Sequence, residues 1–310
     1  MLCLEHIASY IPPGRIDIEK APEKFNLTSI QAKVFSKIYR LKTVPIADES
    51  SVAALIERPV VKLLSETRVS KEQIRLIIHT HTGRVVAPFG DSSVRRIRDK
   101  LGLWNATAFG ISLNNCASTL TAFEVAGMML GDLEDGAKAI VVTGDLTFTP
   151  TLRAIANVSI LGDATAAALI SLKGNVNSVQ GIFIKNYGEF SPGTWMSHEL
   201  SVKFEEEYVD MVVDTINIAI SDHGLKKDAI KMILPHNVNY ISWVKIMKAL
   251  DMPSERVFLD NVEKYGHCFG SDIMINYVTA MEMGRIKKGD YYLMVTVGLG
   301  ATVAVAIIQH

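Results

Sequence analysis

The sequence predicts an α/β protein made of two similar halves, and three observations carry that expectation. Strand-like apolar runs alternate with amphipathic helices along all 310 residues. Two segments of the first half recur in the second, in the same order. No low-complexity stretch or long Pro/Gly linker separates the halves, so they are expected to form one compact unit. Helices alternating with buried strands, duplicated, imply two mixed sheets stacked about a pseudo-two-fold axis.

In chain order, an amphipathic helix is expected over about residues 51–66. It leads through the polar Val69-Ser70-Lys71-Glu72-Gln73 into the buried strand Ile74-Arg75-Leu76-Ile77-Ile78. A second helix follows Cys116, with Leu120, Phe123, Val125, Ala126, Met129 and Leu130 at helical spacing. Strand-like runs come at residues 139–143, 164–170 and 182–184. The helix over about residues 205–222 carries Val209, Val212, Val213, Ile216 and Ile220 at intervals of three and four. It feeds Leu225-Lys226-Lys227-Asp228-Ala229-Ile230-Lys231-Met232-Ile233-Leu234, which repeats residues 69–78 as a polar connection followed by a buried strand.

The uncharged stretch from Tyr291 to Ile308 is about long enough to span a membrane. Its β-branched and aromatic texture around Gly298-Leu299-Gly300 reads instead as two buried strands. The second of them, from Ala301, echoes Ala164-Thr165-Ala166-Ala167-Ala168-Leu169-Ile170.

Composition narrows the class. With 48% hydrophobic residues the chain can bury a large core and has apolar surface to spare for a subunit interface. A net charge of -1 without long basic runs gives no footprint for nucleic acid. Three widely separated cysteines and an N-terminus without a basic flank or long apolar stretch predict a reduced, cytoplasmic protein.

Cys116 is the most telling residue. It stands in Asn114-Asn115-Cys116-Ala117-Ser118-Thr119, where a polar turn opens a helix. The dipole and unpaired N–H groups of a helix N-terminus favour a thiolate. A lone cysteine in apolar surroundings is more often buried filler, so its partners decide. Two candidates lie in the second half. Met232-Ile233-Leu234-Pro235 runs into His236-Asn237-Val238-Asn239 before a helix near Ser242, a polar quartet at a strand end, where α/β proteins place reacting groups. Further on, Lys264-Tyr265-Gly266-His267-Cys268-Phe269-Gly270-Ser271 sets a histidine between glycines that permit close backbone approach. His267 beside Cys268 lacks the second close pair of ligands that a zinc site needs. The His79-Thr80-His81 pair likewise lacks a third ligand and reads as structural.

These elements taken together resemble the thiolase superfamily, and more narrowly β-ketoacyl carrier-protein synthase III and its pathway-specific relatives. The similarity rests on the helix-start Cys116, His-x-x-Asn at His236 and Asn239, the Gly-His loop at His267, Leu161-Gly162-Asp163-Ala164, and the terminal Gly298-Leu299-Gly300-Ala301-Thr302. It implies a thiolase-like α/β fold of duplicated βαβαβαββ halves in a five-layer α-β-α-β-α arrangement. Residues 1–173 would be the half carrying the nucleophile, and residues 174–310 the half carrying both histidines and the glycine loop.

The resemblance also implies the chemistry. Cys116 would attack an acyl thioester and hold the acyl group, with the oxyanion met by backbone N–H groups of Cys116 and Leu299. Asn239, Gly298 and Gly300 would support this site. His236 and His267 would donate hydrogen bonds to a malonyl-type thioester, stabilising the enolate left by decarboxylation. No cofactor or metal is expected.

This chain departs from the family at three places. Type III synthases have Asn where His267 stands, making a Cys-His-His set. Ile241 replaces an arginine near the coenzyme A phosphates, and Ala117-Ser118 and Ala164 replace Ser-Gly and Gly. The expected partners are acyl carrier protein or coenzyme A thioesters, with Lys245 and Lys248 as a docking face for the carrier, and a second copy in a homodimer. Decarboxylative condensation in fatty-acid or specialised-metabolite biosynthesis is the first reading. The alternatives are acyl transfer to an amine or hydroxyl with His236 as general base, and a non-catalytic ketosynthase-like partner subunit. Met128, Met129 and Met196 are candidates for an adaptable acyl lining.

Overall fold

The computed structural model describes residues 1–83, 86–155 and 157–310. Its main sheet has nine strands. From one edge these are Ile230–Pro235, Tyr291–Gly298, Thr302–Gln309 and Ser178–Asn186, then Cys3–Tyr10, Thr165–Ser171, Lys138–Thr143, Ile74–Thr80 and Thr107–Ile111. Ile230–Pro235 lies parallel to Tyr291–Gly298, and Ile74–Thr80 lies parallel to both of its neighbours. The remaining pairings are antiparallel, so each half carries a mixed sheet.

Two separate sheets were expected, and the hydrogen-bond ladder corrects this in one respect. Cys3–Tyr10 and Ser178–Asn186 each pair along their length with only one strand of their own half. At one end their free edges meet, through the single residue pair Cys3 and Ser178. The Leu4 N–H to Asn177 O (3.1 Å) and Val179 N–H to Leu2 O (2.8 Å) bonds flank that junction.

Strand alternation sets the layers. Leu76, Ile78, Ala139, Val141, Ala166 and Ala168 face inward, as do Tyr292, Met294, Ala304 and Ala306 from the other half. They enclose two central helices, Ser118–Gly131 and Asp272–Glu282, which contribute Leu120, Phe123, Ala126, Ile273, Met274 and Ala280. The intervening residues Ile77, Ile140, Val142 and Leu169 face outward onto Val52–Thr67 and Ser93–Leu101. Leu293, Val295, Val303 and Val305 do the same against His198–Asp222 and Tyr240–Ala249. The order is helix, sheet, helix, sheet, helix.

The helices follow local rules. Ser51 caps Val52–Thr67 by accepting from the Ala54 N–H, and Asn239 caps Tyr240–Ala249 by accepting from the Ser242 N–H at 2.8 Å. The last hairpin places Gly298–Leu299–Gly300 at the turn between the two terminal strands, and no helix among the described residues is long and apolar enough to cross a membrane.

Candidate active site

The two central helices begin side by side, and their starts bring the candidate residues together. Cys116 lies in the short turn Asn115–Ala117 that opens the helix Ser118–Gly131. Asn115 takes φ 49°, a left-handed conformation that asparagine tolerates. The thiol is 7% exposed. Its Sγ lies 3.5 Å from His267 Nε2 and 3.5 Å from the Thr82 hydroxyl.

His267 is held from the other half of the chain. Its N–H donates to Ile160 O (2.9 Å) and its carbonyl accepts from the Gly162 N–H (3.0 Å). This gives the Leu161-Gly162-Asp163 motif a mechanical meaning: it pins the histidine loop. A Cβ on Gly162 would stand 2.8 Å from Tyr265 O, and one on Gly266 (φ +59°) would stand 2.7 Å from Ile160 O, so neither position admits a side chain without displacement.

On its far side, His267 Nδ1 lies 2.5 Å from Asp272 Oδ2. Asp272, at the first turn of the second central helix, is wholly buried. It also accepts from the N–H groups of Asn237 (2.6 Å) and Cys268 (2.7 Å) and from Asn237 Nδ2 (3.3 Å). Asn276 Nδ2 braces Asn237 Oδ1 (2.8 Å), and Asn261 Nδ2 in turn donates to Asn276 Oδ1 (2.9 Å). Burial alone would drive the His267 pKa down. The Asp272 carboxylate and the Cys116 sulfur outweigh it and hold the imidazole up to about 10.

His236 follows the strand Ile230–Pro235, anchored by its N–H to Val295 O (2.9 Å) and by Trp243 Nε1 donating to its carbonyl (2.9 Å). The His236 and His267 ring centroids are 6.0 Å apart. Burial, reinforced by the neighbouring His267, pushes the His236 pKa down to about 3, so it stays neutral. Its Nε2 lies 2.9 Å from the Tyr208 hydroxyl, while its Nδ1 is buried without a partner. A lone pair is cheaper to leave unpaired than an N–H, which puts the proton on Nε2, donating to Tyr208.

The terminal glycine turn closes over Cys116. A Cβ on Gly298 would fall 1.9 Å from Asn114 O, so only glycine lets this turn approach the cysteine loop. Gly300 takes φ +125°, and Asn115 Nδ2 donates to Leu299 O. Neither the Cys116 nor the Leu299 amide donates to a backbone carbonyl in the turns and loops of the described residues.

Other expected residues sit elsewhere. Asn239 is buried but spends its side chain on the helix cap and on Val158 O (3.1 Å). Lys245 and Lys248 are exposed on the outer helix Tyr240–Ala249. At its start, beside Ile241, the Arg40 guanidinium lies 3.9 Å from the Tyr240 ring centroid. Met128 is exposed, Met129 packs on the central core and Met196 on the outer one, so the three line no common space. His79 is fully buried, donates to or accepts from no group of the cysteine site, and contacts Gly144 O at 2.9 Å. Thr82, Tyr208, Asn237 and Asp272 were not expected from the sequence. Only Asp272 carried a signal, as an acid in the first turn of a helix.

Comparison with known proteins bears on the fold and the family. A family profile described as 3-oxoacyl-(acyl-carrier-protein) synthase III C terminal matches residues 220–310. The beta-ketoacyl-(acyl-carrier-protein) synthase III of Clostridium perfringens is 26% identical over 276 residues, covering 80% of this chain and 81% of that protein. Among solved structures, the 3-oxoacyl-(acyl-carrier-protein) synthase III of Aquifex aeolicus superposes with a TM-score of 0.83 at 18% identity, covering both chains fully. The acyltransferase ChlB3 reaches 0.87 at 17% identity, over 99% of this chain and 97% of its own. At those identities the structures speak for the fold.

Proposed function

The chain is a β-ketoacyl synthase III-like acyltransferase of the thiolase superfamily, and from that premise we propose that it works through an acyl-Cys116 intermediate. The observation that carries this is the convergence of Cys116 Sγ with His267 Nε2 at 3.5 Å, with the His236 ring centroid 6.0 Å from that of His267. Cys116, its proton held on His267, attacks the carbonyl of an acyl thioester. The N–H groups of Cys116 and Leu299 receive the oxyanion, and the donor thiol leaves. Gly298 and Gly300 give the turn its close approach, and Asn239 sets the helix behind His236.

In the condensing half-reaction, the N–H at His236 Nε2 donates to the thioester oxygen of a malonyl-type extender, and His267 donates beside it once its Nε2 has taken up a proton from solvent. Carbon dioxide leaves, the resulting carbanion attacks the acyl carbon, and the bond from that carbon to the Cys116 sulfur breaks. A β-ketoacyl thioester is released as Cys116 returns to a thiolate beside His267. The substrates are thioesters of acyl carrier protein or coenzyme A, in fatty-acid or specialised-metabolite biosynthesis in the cytoplasm. With Ile241 in place of a phosphate-binding arginine, the carrier protein is favoured, docking on Lys245 and Lys248.

One observation favours a second acceptor. The Asp272 bond makes His267, and not the neutral His236, the basic group beside the sulfur, so an alcohol or amine could discharge the acyl-enzyme with His267 as general base.

Residues 1–173 and 174–310 are the two catalytic halves. A homodimer is supported by the unpaired edge strand Thr107–Ile111 and by exposed Phe89, Leu113 and Phe148. A monomer in sedimentation would remove that assembly.

The deciding experiment exposes wild type and Cys116→Ala to a panel of acyl thioesters and reads intact mass. One acyl mass on the wild type and none on the variant is expected; label elsewhere overturns the reading. Malonyl carrier protein added to the loaded enzyme then separates the acceptors, since carbon dioxide release marks condensation.

A further inference from the structure

We propose that Asp272 is a positioning residue which, through His267, governs the reactivity of Cys116: the three form one hydrogen-bonded line, and the proton of the nucleophile rests on His267. The inference deepens the acyl-transfer reading and needs from it only that Cys116 is the nucleophile.

The geometry is specific. Asp272 Oδ2 meets Nδ1 of the ring, and Nε2 on the opposite side faces Cys116 Sγ. Every partner of the carboxylate is a donor: two main-chain N–H groups, the Asn237 amide and the imidazole. That arrangement suits an anion, which only accepts; a carboxylic acid or an amide would set a donor against donors. The carboxylate is fully buried and rigidly braced, so its attraction for a ring proton is little screened by water. Position 272 is also removed from any surface role.

The proton balance follows. The Cys116 S–H bond breaks as an N–H bond forms at His267 Nε2, while the Nδ1 proton stays shared with Asp272. When the acyl group moves to sulfur, the donor's carbon–sulfur bond breaks and its thiolate takes the Nε2 proton. The ring is then neutral, with its lone pair aimed at acyl-Cys116. An acceptor O–H or N–H returns a proton to Nε2 as its new bond to the acyl carbon forms and the bond to Cys116 breaks, restoring the starting state.

Other charged or titratable groups face the ring. His236 approaches from the strand end, Asp145 from beyond the strand Lys138–Thr143, and Cys268 follows it in sequence. None of these three is an anion in contact with the imidazole, as Asp272 is.

The test needs no substrate. Wild type, Asp272→Asn, His267→Asn and the double variant are alkylated with iodoacetamide across pH, and modification of Cys116 is followed by peptide mass, which separates it from buried Cys3 and Cys268. A neutralised relay leaves less thiolate in mild acid, so Asp272→Asn is expected to slow alkylation about tenfold or more near pH ~6 and less than about twofold near pH ~9. His267→Asn should show the same profile, and the double variant should be no slower than either single one, as residues acting as a unit are non-additive.

A wild-type profile in Asp272→Asn overturns the proposal. So does uniform slowing at every pH with additive losses, the pattern of a merely distorted loop. Should Asp272→Asn not fold, His267→Asn decides: an unchanged profile there overturns it equally. Failure of acyl loading with the shift intact would sink the acyl-transfer reading and leave this relay standing.

Discussion

The Tyr208 hydroxyl stands 2.9 Å from His236 Nε2, in the direction from which a substrate carbonyl would have to accept that proton. In the proposed condensation, the Tyr208 oxygen stands where the thioester oxygen would accept from His236. Burial raises the Tyr208 pKa above the usual phenol range, so it remains a neutral hydroxyl.

Tyr208→Phe removes this competitor. Chain unfolding should become easier by about 1–3 kcal/mol, because the His236 N–H is left buried and unpaired. The extender or acceptor should bind more tightly, since nothing needs displacing, while acyl loading at Cys116 changes little. Urea unfolding and KM for the second substrate read the two effects; weaker second-substrate binding would show that Tyr208 assists the substrate instead of standing in for it.

Gly298→Ala tests the turn above the nucleophile. The added methyl would fall 1.9 Å from Asn114 O, and that contact is main chain, so it cannot swing aside. The turn must lift and carry the Leu299 amide away from Cys116. Single-turnover acylation should drop by about 10²–10³, the usual loss for one oxyanion donor. Acylation at the wild-type rate would remove Leu299 from the oxyanion role.

Charge reversal of Lys245 and Lys248 tests docking. Both are exposed on one helix that also follows His236, so an acidic carrier resting there would present its thioester toward the site. The double Glu variant should raise KM for carrier-bound substrates by about tenfold at low salt and less at high salt, leaving small free thioesters unaffected. Equal effects on both substrate types would refute a docking role.

Much of this was legible in the sequence where a single element carries the signal. Cys116 opens a periodic run, His236 follows an apolar one and His267 stands in a glycine loop before a helix. The five layers are what the family resemblance implies, the runs themselves indicating only helices alternating with strands in two similar halves. What was hidden depends on distant packing. Tyr208 lies inside a helix expected from residue 205, whereas the helix starts at His198; its first turns are polar, and the start is marked only by Ser197 accepting from the Leu200 N–H. Asn237 read as a generic polar neighbour because its partner Asp272 comes from another element. The strand Cys3–Tyr10, which joins the two halves of the sheet, carried too mixed a pattern to stand out.

His236 and His267 bend stability with pH in opposite directions. For His267 the folded pKa of about 10 lies above the ordinary imidazole value of 6.5. Between those values the folded state holds a proton the unfolded state has lost, so stability from this group is complete below about 6.5 and falls as pH rises toward 10. The limiting slope is about 1.4 kcal/mol per pH unit. His236, lowered to about 3 from 6.5, behaves in reverse: the unfolded state gains a proton first, and stability is lost as pH falls from 6.5 toward 3. Comparing urea unfolding of wild type with His267→Asn should therefore show a wild-type advantage that shrinks from neutral to alkaline pH. Against His236→Asn the wild-type advantage should shrink on the acid side. A pH-independent difference in the first comparison would mean that His267 is neutral in the folded protein, and the ion pair with Asp272 would have to be replaced by a neutral hydrogen bond.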